Sequence, residues 1–393
     1  MNILFVGSLP PNPGGSGPVN CHILGGLAAL GHRCRAIAPF TPDPATSDGS
    51  AHAELAEVQV RRYDVPNYLP CQDAVFRAPA YRAVERSAIE PLVMAAIREE
   101  RPDVVVVGRE SFLAPVLPLV SPLVIPILVI SHQGNLPGQL IGGSLPESLS
   151  HELIEQLQSV QCVVAVAEHL AAGWRRLGLA SVRAIPNAVD IDQFAPGTKT
   201  SDLQRSLDLA HDDVIVLHAS SFKPVKRIGD LIDAAAIASQ SNARLKYVLL
   251  GDGEEHAATV DACARRGLTG RFRFPGWVQR RQVIDYLNLA DMLVLPSQSE
   301  AMSLALLEAQ ACGKLVLASD IPASRELIRD GETGLLFPVG DAARLAATIL
   351  RAADDPRLCA SIGEAARREA QGRTLKKMID RYAAALEEVV HAA

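Results

Sequence analysis

The chain has 393 residues, 48% apolar and 21% charged, with a net charge of −6. That length exceeds one ordinary hydrophobic core and fits two domains of about 200 residues each. An acidic chain with no long basic block excludes duplex nucleic acid as a partner, because such binding needs a concentrated Lys/Arg surface. The seven cysteines are scattered and include no C-x-x-C pair. Free thiols in a reducing, cytoplasmic compartment and no structural zinc are therefore expected.

Met1 to Gly7 is too short for a signal peptide and leads into a Pro/Gly loop, Pro10 to Pro18. Its apolar part, from Asn2, reads as a buried strand. Val19 to Leu30 has helical periodicity and stops at Gly31, and Cys34 to Ala38 is the next strand. Ala80 to Glu100 reads as helix, kinked or divided by Pro91. Val104–Val107, Leu128–Ser131 and Val163–Val166 follow as strands. The longest apolar stretch, Val116 to Ile130, contains Pro118, Ser121, Pro122 and Pro126. It reads as a proline-broken loop ending in a strand, not a membrane helix. Peripheral membrane contact stays open.

The alternation breaks at Ile185 to Gly197, a turn-rich connector. A second series then begins at Val214–Leu217 and continues through Tyr247–Leu250, Arg271–Phe274, Met292–Leu295 and Leu315–Ala318. Alternating strands and helices imply α/β domains with parallel sheets. The expectation is two doubly wound, Rossmann-like domains facing a central cleft, residues 1–197 and 198–374. An amphipathic helix over 375–393 could close the second domain or pack back on the first. Ligands in such sheets sit outside the strands' carboxyl ends.

The most informative segment is Leu295-Pro-Ser-Gln-Ser-Glu-Ala-Met-Ser-Leu-Ala-Leu-Leu-Glu-Ala-Gln-Ala-Cys-Gly313. A buried strand runs into a small-residue loop, and a helix starts near Ser303. Seven residues separate Glu300 from Glu308. Backbone N–H groups of Met302, Ser303 and Leu304 suit the phosphates of a nucleotide diphosphate. A carboxylate one turn along suits a ribose diol. The plain alternative is that Glu300 caps the helix and Glu308 faces solvent, but the neighbours of Glu308 are apolar.

This segment resembles the retaining glycosyltransferases of family four, which have the GT-B fold. Their usual pattern is E-G-F-G-x-x-x-x-E-A-x-A-x-G, against E-A-M-S-L-A-L-L-E-A-Q-A-C-G here, so Ala301, Met302 and Ser303 replace Gly-Phe-Gly. The likeness extends to Ile185-Pro-Asn-Ala-Val-Asp190 with Phe194, to Leu250-Gly-Asp-Gly-Glu254, to Gly276–Gln279 and to Asp330–Leu335. Within these matches it implies donor contacts at Gly253 and Val278. Ala219-Ser-Ser-Phe-Lys-Pro-Val-Lys-Arg-Ile228 is similar to the malate glucosaminyltransferases of the bacillithiol pathway, with Lys223 in place of their Arg. The resemblance makes Lys226 the cation for the leaving diphosphate, with Lys223 and Arg227 beside it and Ser221 at the usual Arg position.

In the first half, Gly14-Gly-Ser-Gly17 lets backbone approach an anion. It resembles the family's first loop, placing Gly15 and Ser16 near the donor and Gly14 and Gly17 toward the acceptor. Asn20 occupies the last place of a G-x-G-x-x-G, which argues against dinucleotide binding. His132 follows a strand where the family has a histidine near the transferred sugar. Asn135 stands in place of the family's acid, and Glu110 is a weaker acceptor-side candidate. Pro137 to Ser148 and Arg61 to Tyr81 read as variable acceptor loops.

The resemblance implies front-face, retaining sugar transfer from a nucleotide diphosphate to an acceptor hydroxyl. A UDP-linked donor is favoured over a GDP-linked one. Glu300, Lys226 and His132 would be the catalytic group, with no metal and no cofactor beyond the nucleotide-sugar co-substrate. An epimerase, or a non-catalytic nucleotide-sugar-binding protein of the same fold, remains open.

Overall fold

The computed structural model describes residues 1–10, 15–40, 55–64 and 79–392. It divides into two compact units, Met1–Asn187 with Leu375–Ala393, and Ala188–Thr374.

Unit 1 begins with β1 (Asn2–Val6), α1 (Ser16–Ala29), β2 (Arg33–Phe40), β3 (Gln59–Asp64) and α2 (Pro79–Glu99). It continues with β4 (Val104–Val107), α3 (Leu113–Val120), β5 (Ile127–Ser131), α4 (Leu136–Ile141), α5 (Glu147–Gln158), β6 (Cys162–Ala165), α6 (Glu168–Arg176) and β7 (Val182–Ala184). The seven strands run parallel in the order β3-β2-β1-β4-β5-β6-β7. Helices cover the sheet, so the central strands are apolar along their whole length. All four valines of β4 are buried.

Unit 2 comprises α7 (Ser201–Ser206), β8 (Val214–Ala219), α8 (Ile228–Ser241), β9 (Leu245–Leu250), α9 (His256–Arg265), β10 (Phe272–Gly276) and α10 (Arg280–Leu289). It then adds β11 (Met292–Leu295), α11 (Leu304–Ala311), β12 (Leu315–Ser319), α12 (Pro322–Arg325), β13 (Leu335–Phe337), α13 (Ala342–Asp354) and α14 (Pro356–Ala370). Its parallel six-stranded sheet has the order β10-β9-β8-β11-β12-β13. Val216, Leu249, Met292, Leu317, Phe222 and Ile349 belong to its continuous core. The last helix, α15 (Leu375–His391), belongs to unit 1, where Met378, Tyr382, Leu386 and Val389 are buried. Its approach to α1 depends on Gly26, where a Cβ would come within 2.2 Å of Ile379 Cδ1. Arg381 Nη2 donates to the carbonyl of Ala184 at 2.6 Å, and Arg183 pairs with Glu388.

Several local expectations are corrected. Residues 116–120, expected in a proline-broken loop, belong instead to helix α3. Pro115 lies in its first turn, where no N–H is needed, and Pro118 interrupts only its last turn. Helix α1 starts at Ser16, inside the expected loop, because Gly15 adopts a right-handed helical conformation and Pro18 falls in the tolerant first turn. Residues 61–64 are the end of strand β3, not a loop. The rest of the Arg61–Tyr81 segment up to residue 78 lies outside the described residues. The Pro137–Ser148 segment contains α4 and the start of α5, with a proline in the first turn of α4.

Candidate active site

In unit 2, two loops at the carboxyl ends of adjacent strands β8 and β11 are tied together. The Gln298 N–H donates to the Val225 carbonyl at 2.8 Å. Lys226 Nζ donates to Glu300 Oε1 at 2.6 Å, and Ser297 Oγ donates to the same oxygen at 2.7 Å. The side chains of Lys226 and Glu300 are 18% and 14% exposed, so water screens the pair only partly. Glu300 does not cap the helix: Ser303 does, its hydroxyl accepting from the Leu306 N–H at 3.3 Å. Met302 is buried, and Leu304 opens α11.

Glu308 lies on α11 and is 5% exposed, which removes the solvent-face alternative. A buried carboxylate needs a counter-charge, and Arg280 supplies it with Nη2 2.6 Å from Oε1. Arg280 opens α10, and its guanidinium sits 5.4 Å from the centre of the Phe194 ring, a cation–π distance. Phe194 is fully buried. The family-like linker and the second glutamate are therefore joined through an arginine that sequence reading did not single out. Val278, half-buried, lies in the loop just before α10. On the far side of α11, Gln310 Nε2 donates to the Leu327 carbonyl at 2.8 Å, fixing the turn that carries Asp330–Leu335.

The remaining basic candidates divide. Arg227 holds a left-handed conformation and forks onto Asp230 at 2.6 and 3.0 Å, so its charge is already answered. Half-buried Lys223 and Ser221 lie on the same loop, linked by a 2.9 Å bond from Lys223 N–H to the Ser221 carbonyl. Gly253, at φ 154°, packs where a Cβ would meet the Phe222 carbonyl oxygen at 2.7 Å. Its place is thus set by close backbone approach to this loop.

His218 was missed. It is the penultimate residue of β8, is fully buried, and lies 2.9 Å from the Val294 carbonyl through Nδ1 and 2.7 Å from Ser220 Oγ through Nε2. Burial pushes its imidazole down to about 4, and the Lys226 charge adds to this. A neutral ring donating from Nδ1 accepts the Ser220 proton at Nε2. The only signal in the sequence is a lone polar residue near the end of an apolar strand.

In unit 1, His132 follows β5 and Glu110 follows β4. Glu110 is 1% exposed and accepts from Ser131 Oγ, which also receives Trp174 Nε1–H at 2.8 Å. Burial raises the Glu110 carboxyl above the usual range, opposed by the Ser131 bond, by the His132 backbone N–H and by Arg109. His132 Nε2 lies 2.9 Å from Asn20 Oδ1. Burial and the Arg109 charge hold its imidazole well below its usual value. Asn135 is exposed at the start of α4. Gly15, Ser16 and Gly17 form the start of α1, with Gly15 exposed and Gly17 buried, while Gly14 lies outside the described residues. Among the described residues no helix is long and apolar enough to cross a membrane.

The comparisons with known proteins match both units. Residues 13–193 match the Glycosyltransferase Family 4 model, and residues 199–369 match the model of Glycosyl transferases group 1. The chain is 34% identical over 221 residues to a D-inositol 3-phosphate glycosyltransferase of Geodermatophilus obscurus, covering 53% of this chain and 48% of that one. It is 31% identical over 168 residues to an N-acetyl-alpha-D-glucosaminyl L-malate synthase of Bacillus anthracis, covering 42% and 43%. It thus spans about half the length of these curated relatives. Among solved structures, a sucrose-phosphate synthase of Thermosynechococcus elongatus has TM-score 0.83 at 20% identity, covering 100% of both chains. Anabaena HepE in complex with UDP-glucose has TM-score 0.80 at 20% identity, covering 99% of this chain and 100% of that one. At such identities the likeness establishes the fold, which is GT-B. The first half of the chain is thus a Glycosyltransferase Family 4 domain and the second half a Glycosyl transferases group 1 domain, on the GT-B fold.

Proposed function

We propose that the protein transfers a sugar from a UDP-linked donor to an acceptor hydroxyl, with retention of anomeric configuration and without a metal ion. The observation that carries this reading is the pairing of two carboxylates with two cations around the start of α11: Glu308 with Arg280, and Glu300 with Lys226. The choice of UDP is supported by the UDP-glucose held by the Anabaena protein of the same fold. The proposed setting is the cytoplasm.

Glu308, buried on α11, would accept both ribose hydroxyls. The N–H groups at Met302 to Leu304 would face the diphosphate. Lys226 would change partner on donor binding. Alone it is neutralised by Glu300, and a diphosphate is the stronger anion. Glu300, still held by Ser297, would then accept hydroxyls of the donor sugar and orient it. The bond that breaks joins the anomeric carbon to the diphosphate oxygen. Lys226 and the N–H groups stabilise the charge left behind. The acceptor oxygen bonds to the anomeric carbon on the same face, and its proton passes to the departing phosphate oxygen, so no protein nucleophile is used.

The test is incubation with UDP- and GDP-linked sugars and a panel of hydroxyl acceptors, with the product anomer read by NMR. Release of UDP with a retained anomer, unchanged by EDTA, is the expected result. An inverted product, or loss of turnover with EDTA, overturns the mechanism. Conversion of the donor sugar without UDP release identifies an epimerase, and nucleotide binding without any turnover identifies a binding protein.

A further inference from the structure

Residues 220–227 connect β8 to α8. Within them Pro224–Lys226 is a single tight turn. The Lys226 N–H donates to the Lys223 carbonyl at 2.9 Å and the Arg227 N–H to the Pro224 carbonyl at 3.0 Å. Helix α8 starts one residue later, at Ile228. Arg227 stands between turn and helix at φ 50° and ψ 44°, in the left-handed region. A right-handed residue there would let the turn and the helix run on as one, and the Lys226 side chain would swing round with them. The contact of Lys226 Nζ with Glu300 Oε1 at 2.6 Å therefore depends on residue 227 staying left-handed.

Arginine disfavours that conformation. Its Cβ sets the left-handed form back by on the order of tenfold, whereas glycine has no such penalty. Two features hold it. Arg227 Nε and Nη2 fork onto Asp230 Oδ2 and Oδ1 at 2.6 and 3.0 Å, a two-bond pair that fixes the guanidinium plane. Asp230 lies in the first turn of α8, where a carboxylate also suits the helix dipole, and its side chain is 16% exposed. Its own N–H donates to the Arg227 carbonyl at 3.0 Å, so backbone and side chain are closed together. The second feature is Gly340, in the turn before α13. A Cβ there would stand 3.1 Å from Arg227 Nη2 and press on the guanidinium.

We propose that Arg227 and Asp230 form a clamp that keeps residue 227 left-handed and so aims Lys226 at Glu300. Both are positioning residues, and Arg227 is not a ligand of the nucleotide sugar. Every part of the clamp lies within unit 2. Its effect on turnover rests on the transferase reading above, and the clamp itself does not.

The experiment compares alanine with glycine at position 227 of the full-length protein. Arg227→Ala keeps a Cβ and loses the fork. The left-handed form should fall to about a tenth of the population, and kcat by about tenfold with it. Arg227→Gly loses the same charge but needs no clamp, so its kcat should exceed that of Arg227→Ala by about fivefold or more. Equal losses in the two variants would make Arg227 a donor ligand and overturn the proposal. Asp230→Ala should lower kcat by about tenfold alone and add little to Arg227→Gly. Additive losses, or a lowered urea midpoint with unchanged kcat, would also overturn it.

Crystal structures of the variants give a readout that needs no turnover. Lys226 Nζ should remain on Glu300 in Arg227→Gly. In Arg227→Ala it should leave Glu300, with residue 227 right-handed. A left-handed residue 227 in Arg227→Ala, with the Lys226 contact intact, would overturn the clamp. If Arg227→Ala does not fold, Asp230→Ala carries the same comparison. A wild type without transferase activity, whose variants show these two conformations, would defeat the transferase reading and leave the clamp standing.

Discussion

Glu308 offers the sharpest separation between binding and architecture. In Glu308→Gln the side chain keeps its size and one acceptor oxygen but loses its charge. The Arg280 side chain is 32% exposed and can turn toward water, whereas Glu308 is 6% exposed. Loss of the glutamate charge should therefore cost only about 1 kcal/mol of stability, at the weak end for ion pairs. A ribose diol on the carboxylate gains two charge-assisted hydrogen bonds, each contributing about 1.5–3 kcal/mol. The amide keeps the weaker half of that, so UDP binding should weaken by about 2 kcal/mol, on the order of 30-fold in Kd.

Titration calorimetry with UDP, and with UDP lacking both ribose hydroxyls, completes a cycle. The wild type should lose more affinity than Glu308→Gln when the hydroxyls are removed. Equal losses, or an unchanged Kd for UDP in the variant, would refute the ribose role. Arg280→Ala provides the contrast. It strands a buried carboxylate and should cost about 3 kcal/mol of stability, visible as a lowered urea midpoint.

Three further outcomes follow from the geometry. Lys226→Gln should lower kcat by about 10²–10³-fold by removing the diphosphate cation. Pairing it with Glu300→Gln should restore stability without restoring turnover, as thermal melts and initial rates would show. Gly253→Ala forces a Cβ toward the Phe222 carbonyl at an unfavourable φ and should destabilise unit 2 by about 2 kcal/mol or more in urea unfolding. Glu85 is 1% exposed, and burial pushes its carboxyl up to about 7. The native state therefore binds an extra proton between the unfolded carboxylate value and about 7, and stability falls as pH rises through that window. Glu85→Gln should flatten this slope and raise neutral-pH stability by on the order of 2 kcal/mol, measured as urea midpoints across the pH range.

The central strands were legible because burial on both faces leaves an unbroken apolar run, as in Val104–Val107 and Met292–Leu295. Strand β3, Gln-Val-Arg-Arg-Tyr-Asp, was not, because an edge strand carries charge and is only half covered. The three-residue strands β7 and β13 are too short to show a period. Helix α1 hid its start behind Gly-Ser-Gly-Pro, residues that also spell a turn. In the site, Glu300, Glu308 and Lys226 stood out through spacing and apolar context. Their partners did not. Arg280 and Ser297 read as ordinary polar residues, and only loop closure brings them to the carboxylates. Asn20 was noticed for breaking a glycine pattern, while its contact with His132 spans 112 positions of chain.

The placement of α15 has a consequence for synthesis. Unit 2 is one continuous stretch, but unit 1 is built from both ends of the chain. On the ribosome, Ala188–Thr374 can close its sheet as soon as it emerges. The first strands, made earliest, must wait with the surface around Gly26 uncovered until Ile379 and its neighbours arrive. The domain begun first is thus the domain finished last. A truncation within the final helix should leave a nascent protein whose second sheet is intact while the first stays open to chaperones.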